Sequence, residues 1–494
     1  MASFRRSLYS VTAMSFVAVL SAANGCGGKG GATLDSTDDT TSPDGSVMGD
    51  NGSDASLVGD DSSSIFMSTR TDAGSGTCTG LQCSVPANCT TTLSGTVYDP
   101  AGKNPLYNVV VFIPNDPAGT LPPIAAGTHT CNTCDVSIGD YVAATTTDSK
   151  GHFTLTGVPA TTHVPLVVQT GKWRREVFLP SVTKCTNNAV PAASSRLPRN
   201  HTEGSLPQMA LLTGGCDDLG CFMRSLGVDA SEFTAPHGGG RLDVYEGVGG
   251  ATLSTGSAGA CSGSSCPLWA NKSALEAYDM VLLSCECGEN NQTKPAAGMQ
   301  ALHDWLDEGG KVFASHYHYT WFKNSPAKDF NNVASWLTSG IASGSGNYDL
   351  DTTFPKGVTF HDWLANVNAL GTGGTIALNT VATSVSKVNA PTQQWIYDSS
   401  SKDPKYLSFL TPIGGIPKSA DAGEASGPQY CGKAVFTDLH TSSSLLKTAN
   451  SIPSDCSGAT LTAQQEALEF LFFDLSACVA DDSTVPPPPP PPAK

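Results

Sequence analysis

The stretch that most constrains this chain runs from residue 278 to 322. It opens as Tyr278-Asp-Met-Val-Leu-Leu-Ser-Cys285, a continuous apolar run of the kind that forms a strand buried on both faces. After a polar loop, Pro295 starts a helix over 295–308 that places Met299, Leu302, Trp305 and Leu306 on one face. Gly309 and Gly310 stop that helix, and Lys311-Val-Phe-Ala-Ser315 follows as a second buried strand leading into His316-Tyr-His-Tyr-Thr-Trp-Phe322. Strand, helix and strand in this order require a right-handed crossover and a parallel sheet. Ligands of such sheets sit beyond the carboxyl ends of the strands, where His316 and His318 fall.

The pattern continues on both sides. Met209-Ala-Leu-Leu-Thr213 reads as a strand stopped by Gly214 and Gly215, and a helix over 217–226 follows with Asp217 or Asp218 near its start, where the dipole favours an anion. Residues 241–246 form another strand. Downstream, the spacing predicts a helix over 361–370 and strands over 394–397, 406–410 and 433–439. A last helix starts at Thr462, with Gln465 completing a capping box and Leu468, Leu471, Phe472 and Leu475 facing the core. Together these elements make an α/β domain over residues 204–480.

Residues 91–185 have a different grammar. Short runs rich in β-branched residues, at 93–97, 106–114, 164–170 and 176–179, are punctuated by Gly, Pro and Asp. A hairpin turns at Lys150-Gly151, with Phe153 and Leu155 on one face. That is the pattern of a small β-sandwich.

The termini are neither. Arg5 and Arg6 precede an apolar run over 8–20, too short to span a bilayer, and small residues follow, so residues 1–25 are an export signal peptide. Its end, Leu20-Ser-Ala-Ala-Asn-Gly-Cys26, resembles a bacterial lipobox, although Ala23 and Asn24 depart from the pattern. The resemblance implies lipidation of Cys26 and anchoring in the cell-envelope membrane, the outer membrane in a Gram-negative cell. The alternative is cleavage after Ala23 and a periplasmic or secreted protein. Residues 26–90 are Gly, Ser, Thr and Asp with almost no aromatic side chain, so they cannot offset the entropy of ordering and are expected to be a disordered linker. Residues 481–494 form a Pro-rich tail.

Charge and cysteines narrow the partners and the compartment. With 44 acidic against 27 basic residues and a net charge of −17, the chain lacks the basic surface that nucleic acid requires. Sixteen cysteines suit an oxidising compartment, and Cys78, Cys83, Cys89, Cys131, Cys134, Cys216, Cys221, Cys261, Cys266, Cys456 and Cys478 are disulfide candidates. Cys285 and Cys287 are expected to join disulfides as well, for example with Cys431. Cys131-x-x-Cys134 could be half a zinc site, but no second pair has zinc-finger spacing, which favours a disulfide. If Cys26 carries lipid, fifteen cysteines remain, and one is unpaired or bonded to another chain.

Two resemblances add to this. Gly95-x-Val97-x-Asp99, Pro105-Leu106 with Val109-x-Val111, and Thr147-Asp148-x-x-Gly151-x-Phe153-x-Leu155 resemble the carboxypeptidase regulatory-like family, transthyretin-like sandwiches related to carbohydrate-binding-like modules. The stretch between Asn115 and Thr145 is longer than that pattern needs. The resemblance implies a spacer or adhesive module without catalysis. Trp173 would either stack on a sugar or belong to the core. Leu211-Leu-Thr-Gly-Gly215, Tyr278-Asp-Met-Val-Leu-Leu283, Leu306-x-x-Gly-Gly-Lys-Val312 and Gly432-Lys-Ala-Val-Phe436 with His440 resemble the class I glutamine amidotransferase-like superfamily, within it the ThuA-like proteins. That likeness implies a flavodoxin-like sheet. It also shows a departure: the family's cysteine nucleophile falls at His316, and the glutamate after its catalytic histidine, here His440, is Ser442. An imidazole cannot replace the attacking thiolate, so glutaminase chemistry is not expected.

The expected fold class is therefore multidomain: a small all-β sandwich, then an α/β domain with a flavodoxin-like parallel sheet, between a disordered linker and a Pro-rich tail. Four strand ends should converge, bringing Gly214, Gly215 and Asp217; Cys285, Glu286, Cys287 and Glu289; His316, Tyr317 and His318; and Asp438 and His440. Three chemistries compete there. His316 or His318 with His440 and Glu286 or Asp217 could bind a divalent metal such as zinc. Glu286 or Asp217 could act as a base while His316 polarises a substrate. Tyr317, Tyr319 and Trp321 could stack on a glycan beside Gly214, Gly215, Asp217 and His318. Otherwise the histidines are structural and the chain is a scaffold. The first expectation is a surface lipoprotein that binds a glycan or surface protein, with a metal-assisted hydrolase of carbohydrate or amide bonds as the alternative.

Overall fold

Two small sheets face each other near the start of the described residues. One joins His152–Thr156, Thr92–Thr96 and Asn187–Ala189; the other joins Tyr141–Thr146, Val110–Pro114, Thr162–Thr170 and Trp173–Ser181. His152–Thr156 alternates exposed and buried residues, which turns Phe153 and Leu155 inward. They meet Val111, Val164, Leu166 and Val168 of the opposite sheet in one core. The other side of the four-stranded sheet is covered too, where Phe112 and Val167 pack with Ile138 and Leu121 of the long inserted segment.

This computed structural model describes residues 78–127, 131, 138–337, 344–417, 428–441 and 446–485. The signal peptide, Cys26, most of the linker, Cys134, Ser442 and the prolines of the tail lie outside them. The described residues belong to one compact unit, Ser75–Lys494. Residues 78–90, given to the linker by composition, are fastened to the sandwich: Leu81 is buried, and Cys89 is bonded to Cys185.

The α/β half is built on one large sheet. Gly259–Ala260, Leu242–Glu246, Met209–Thr213, Met280–Leu283, Lys311–Ser315 and Gly432–Thr437 lie side by side, all parallel. Numbered by their place in the chain, the five main parallel strands run 2-1-3-4-5, the flavodoxin-type order. Four antiparallel strands then extend the sheet: Pro404–Thr411, Gln393–Asp398, Gly344–Leu350 and Ile376–Val381. The sheet thus has the expected parallel, flavodoxin-like part and an antiparallel extension. The expected helices form as Leu219–Ser225, Ala296–Asp307 and Ala463–Ser476, the last with its capping box at Thr462 and Gln465. The helix read as 361–370 is Pro355–Asn366, entered through a proline in its first turn.

The last helix joins the two halves. Trp173 is fully buried with its ring edge-on to Phe472 and Phe473, so it belongs to the core and offers no face to a sugar. Nearby, the buried carboxyls of Asp99 and Glu469 hydrogen-bond each other, and Asn104 Nδ2 donates to Glu469 Oε2 at 2.6 Å. Burial pushes Asp99 up to about 6 and Glu469 further above the usual carboxylate range, so the pair holds a shared proton at neutral pH. Cys131 is bonded to Cys431, tying the inserted segment of the sandwich to the α/β half.

The cysteine pairing bears out most of the expected disulfides and shows which cysteines join. Cys78–Cys83 and Cys261–Cys266 are local staples. Cys216 and Cys221 pair with Cys287 and Cys456, and not with each other. Since Cys431 is taken by Cys131, Cys285 has no disulfide and remains a buried thiol.

Candidate metal centre

Three strand ends supply three donor atoms. Cys285 lies two residues past Met280–Leu283, fully buried, with the N–H groups of Cys287 and Tyr317 directed at its sulfur. His316 is the first residue past Lys311–Ser315, where the chain turns at once into the 3-10 segment His316–Tyr319. Its φ of 45° is uncommon for a non-glycine residue, and such strain persists only where the surroundings impose it. The turn aims the imidazole at the neighbouring strand ends. His440 follows Gly432–Thr437 and is 1% exposed.

The donors converge. His316 Nδ1 lies 3.1 Å from His440 Nε2 and 3.4 Å from Cys285 Sγ, and all three donor atoms fall within 4.8 Å of one another. Around tetrahedral zinc, edges of about 3.3 Å between nitrogens and about 3.5 Å between nitrogen and sulfur follow from the usual bond lengths. The two closest pairs need to open by only a few tenths of an ångström, on the order of ordinary side-chain relaxation. His440 Nδ1 donates to the Thr380 carbonyl at 3.0 Å, which leaves the Nε2 lone pair facing the centre. Gln464 Nε2 holds the His440 carbonyl at 2.6 Å while its Oε1 accepts from Asn379 N–H at 2.8 Å, so the last helix fixes both His440 and the strand that carries its acceptor.

Charge separates the possible chemistries. Burial pushes the Cys285 thiol up to about 12 and His316 down to about 3. With both neutral at pH 7, no thiolate–imidazolium pair forms, and a cysteine nucleophile is not activated. A dication reverses this balance because it stabilises a thiolate and takes neutral imidazole lone pairs.

The remaining predicted residues are placed differently. His316 and His318 do not share a face, because the segment is a 3-10 turn and not extended. His318 is fully buried, donating from Nε2 to the Ser284 carbonyl at 2.8 Å and accepting from Trp321 Nε1 at 3.1 Å, so both ring nitrogens are engaged. Glu286 is closed off by Lys294 Nζ at 2.6 Å and Val248 N–H at 2.8 Å. Asp217 accepts from Ser315 Oγ at 2.6 Å and Thr441 N–H at 2.8 Å. Neither carboxylate is free to serve as a base or a metal ligand. Trp321 packs edge-on against Trp269, and Tyr319 stacks on Trp336 with its hydroxyl donating to Glu289 at 2.6 Å. Both are buried and show no ring face to a ligand, while Tyr317 is half-buried against His316. Gly214 sits where a Cβ would lie 2.2 Å from the Cys285 carbonyl oxygen, so a side chain is excluded from this loop crossing.

Cys285 is the donor that sequence reasoning assigned elsewhere. The sequence puts it at a strand end and suggests a disulfide, and the odd cysteine count left by a lipidated Cys26 is the one signal for an unpaired thiol.

No protein-family model matches the chain, and a search of curated proteins finds no match. Four chains of solved structures are similar to it. A ThuA-like protein from Bacteroides uniformis aligns over 53% of this chain and 88% of its own, at 11% identity and a TM-score of 0.28. The cytoplasmic protein STM3548 from Salmonella typhimurium aligns over 55% and 99%, at 9% identity and a TM-score of 0.29. Likeness at this level assigns no chemistry, and the centre stands on its own geometry.

Proposed function

We propose that this is an exported protein of the cell envelope, anchored through lipid at Cys26, whose α/β domain binds one divalent metal ion through Cys285, His316 and His440 and hydrolyses carbohydrate or amide bonds with its help. The convergence of three donor atoms from three strand ends carries the reading. A sulfur and two imidazole nitrogens suit zinc, and three protein ligands leave a fourth position for water or substrate, as in catalytic zinc sites. Cys285, His316 and His440 would hold the ion, which would supply Lewis acidity there. The chain's own residues supply the rest. With the ion bound, Cys285 would contribute the negative charge, which two backbone N–H groups favour, and the Thr380 carbonyl orients His440. Burial of all three ligands keeps bulk water away from the centre. Six disulfides among the described residues favour the exported location, since such bonds persist in oxidising compartments.

The test begins with protein purified from its native compartment without chelator. Elemental analysis should find one zinc or similar ion per chain, lost in Cys285→Ala and His440→Ala variants. Hydrolysis across a panel of glycosides and amides should then depend on that metal. A wild-type protein that neither contains metal nor takes up zinc would refute the reading.

A further inference from the structure

The loop after Met209–Thr213 supplies no donor atom, yet it touches every strand end that does. Gly214 packs directly on the Cys285 carbonyl. Cys216 N–H donates to that same carbonyl at 2.9 Å, and the Cys216–Cys287 disulfide ties the loop to the segment carrying Cys285. Asp217 reaches the other two. Its Oδ2 accepts from Ser315 Oγ at 2.6 Å, and Ser315 immediately precedes His316. Its Oδ1 accepts from the N–H of Thr441 at 2.8 Å and from the Thr441 hydroxyl, and Thr441 immediately follows His440. The same oxygen also accepts from Asp218 N–H at 3.0 Å, which fixes the carboxylate in its own loop. The side chain is 3% exposed.

We propose that Asp217 is the positioning residue of the metal centre: one buried carboxylate grips the residue beside each histidine ligand and so sets the separation of the two imidazoles. The proposal rests on the metal-binding reading above and adds a role for a residue that binds no metal. The physical reason is register. Ligand atoms must be held to within about 0.5 Å of the bonding geometry, and His316 lies on a strained turn whose direction the Ser315 anchor helps to fix. His440 has a separate hold through Gln464, and the parallel ladder pairs Ser315 with Thr437, while the Asp217 side chain reaches the residue beside each histidine. Loss of a partner in the shell outside the ligands typically weakens metal affinity by about 10–100-fold.

Zinc or cobalt(II) titration of the full chain compares wild type with Asp217→Ala, Asp217→Asn and Ser315→Ala. Asparagine retains the shape: its oxygen can take the Thr441 and Asp218 N–H groups while its amide donates to Ser315. Asp217→Ala should weaken binding by about 10–100-fold and alter the cobalt thiolate and d–d bands, Ser315→Ala should weaken it less, and Asp217→Asn should restore both affinity and spectrum to near wild type. Alanine binding with wild-type affinity and spectrum would overturn the proposal. Asparagine as weak as alanine would overturn it too, because charge and not position would then be what matters. Should the alanine variant fail to fold, Ser315→Ala with wild-type affinity and spectrum overturns it. A wild type that binds no metal defeats the underlying reading instead, which keeps the two failures distinct.

Discussion

Replacing Glu469 by glutamine should make the protein more stable at neutral and alkaline pH. Glu469 is fully buried beside Asp99 and donates or shares a proton within that pair, with Asn104 Nδ2 on its other oxygen. Its carboxyl is held well above the usual range in the folded state, first by burial and then by the Asp99 charge, while in the unfolded chain it ionises near 4.5. Above that pH the folded protein keeps a proton that the unfolded chain releases, so stability falls as pH rises by about 1.4 kcal/mol per unit. Asp99 adds a similar loss, confined to the window between 3.8 and about 6. Glutamine can reproduce the protonated state, donating to Asp99 and accepting from Asn104, and does not titrate. Above pH 4.5 the wild type should therefore lose stability relative to Glu469→Gln as the pH rises, read from denaturant midpoints at each pH. Half-buried Glu466, pushed up to about 7 by burial, titrates in both proteins, and its charge adds to the upward push on Glu469 in the wild type. Parallel pH profiles for the two proteins would refute the shared-proton account.

Other substitutions separate the structural from the metal-binding roles. His318→Ala leaves the Ser284 carbonyl and Trp321 N–H unpaired in the core and should cost about 2–5 kcal/mol of stability in thermal or urea unfolding, while the folded protein still binds one metal. His316→Ala should show the reverse pattern, with metal lost and stability less affected; identical behaviour of the two variants would contradict the separation. Removing the Cys131–Cys431 bridge with paired serines should lower stability by about 2–4 kcal/mol without changing metal stoichiometry, as the bridge closes a long loop and sits at the opposite end of Gly432–Thr437 from His440.

How far the sequence could be read depended on whether the deciding contact was local. Met209–Thr213, Met280–Leu283 and Lys311–Ser315 are buried at every position, so they appear as continuous apolar runs, and glycines mark their ends. Gly344–Leu350 starts with four exposed residues rich in glycine and serine, and only its partners Gln393–Asp398 and Ile376–Val381 make it a strand. At the centre, His316 and His440 were legible because they follow buried strands directly. Cys285 was not, since Cys287 finds its partner 71 residues away and nothing local distinguishes the thiol that stays free. Glu286 and Asp217 looked like catalytic carboxylates until Lys294, Ser315 and Thr441 were seen to occupy them. The difference between His316 and His318 depended on a turn that two-residue spacing could not reveal.

X-ray absorption at the zinc edge of the loaded protein tests the central claim most directly. The account predicts one sulfur and two imidazole nitrogens in the first shell, completed by one oxygen, with the sulfur contribution absent from Cys285→Ala. A shell of oxygen and nitrogen alone in the wild-type protein, or a sulfur signal that survives in Cys285→Ala, would contradict it.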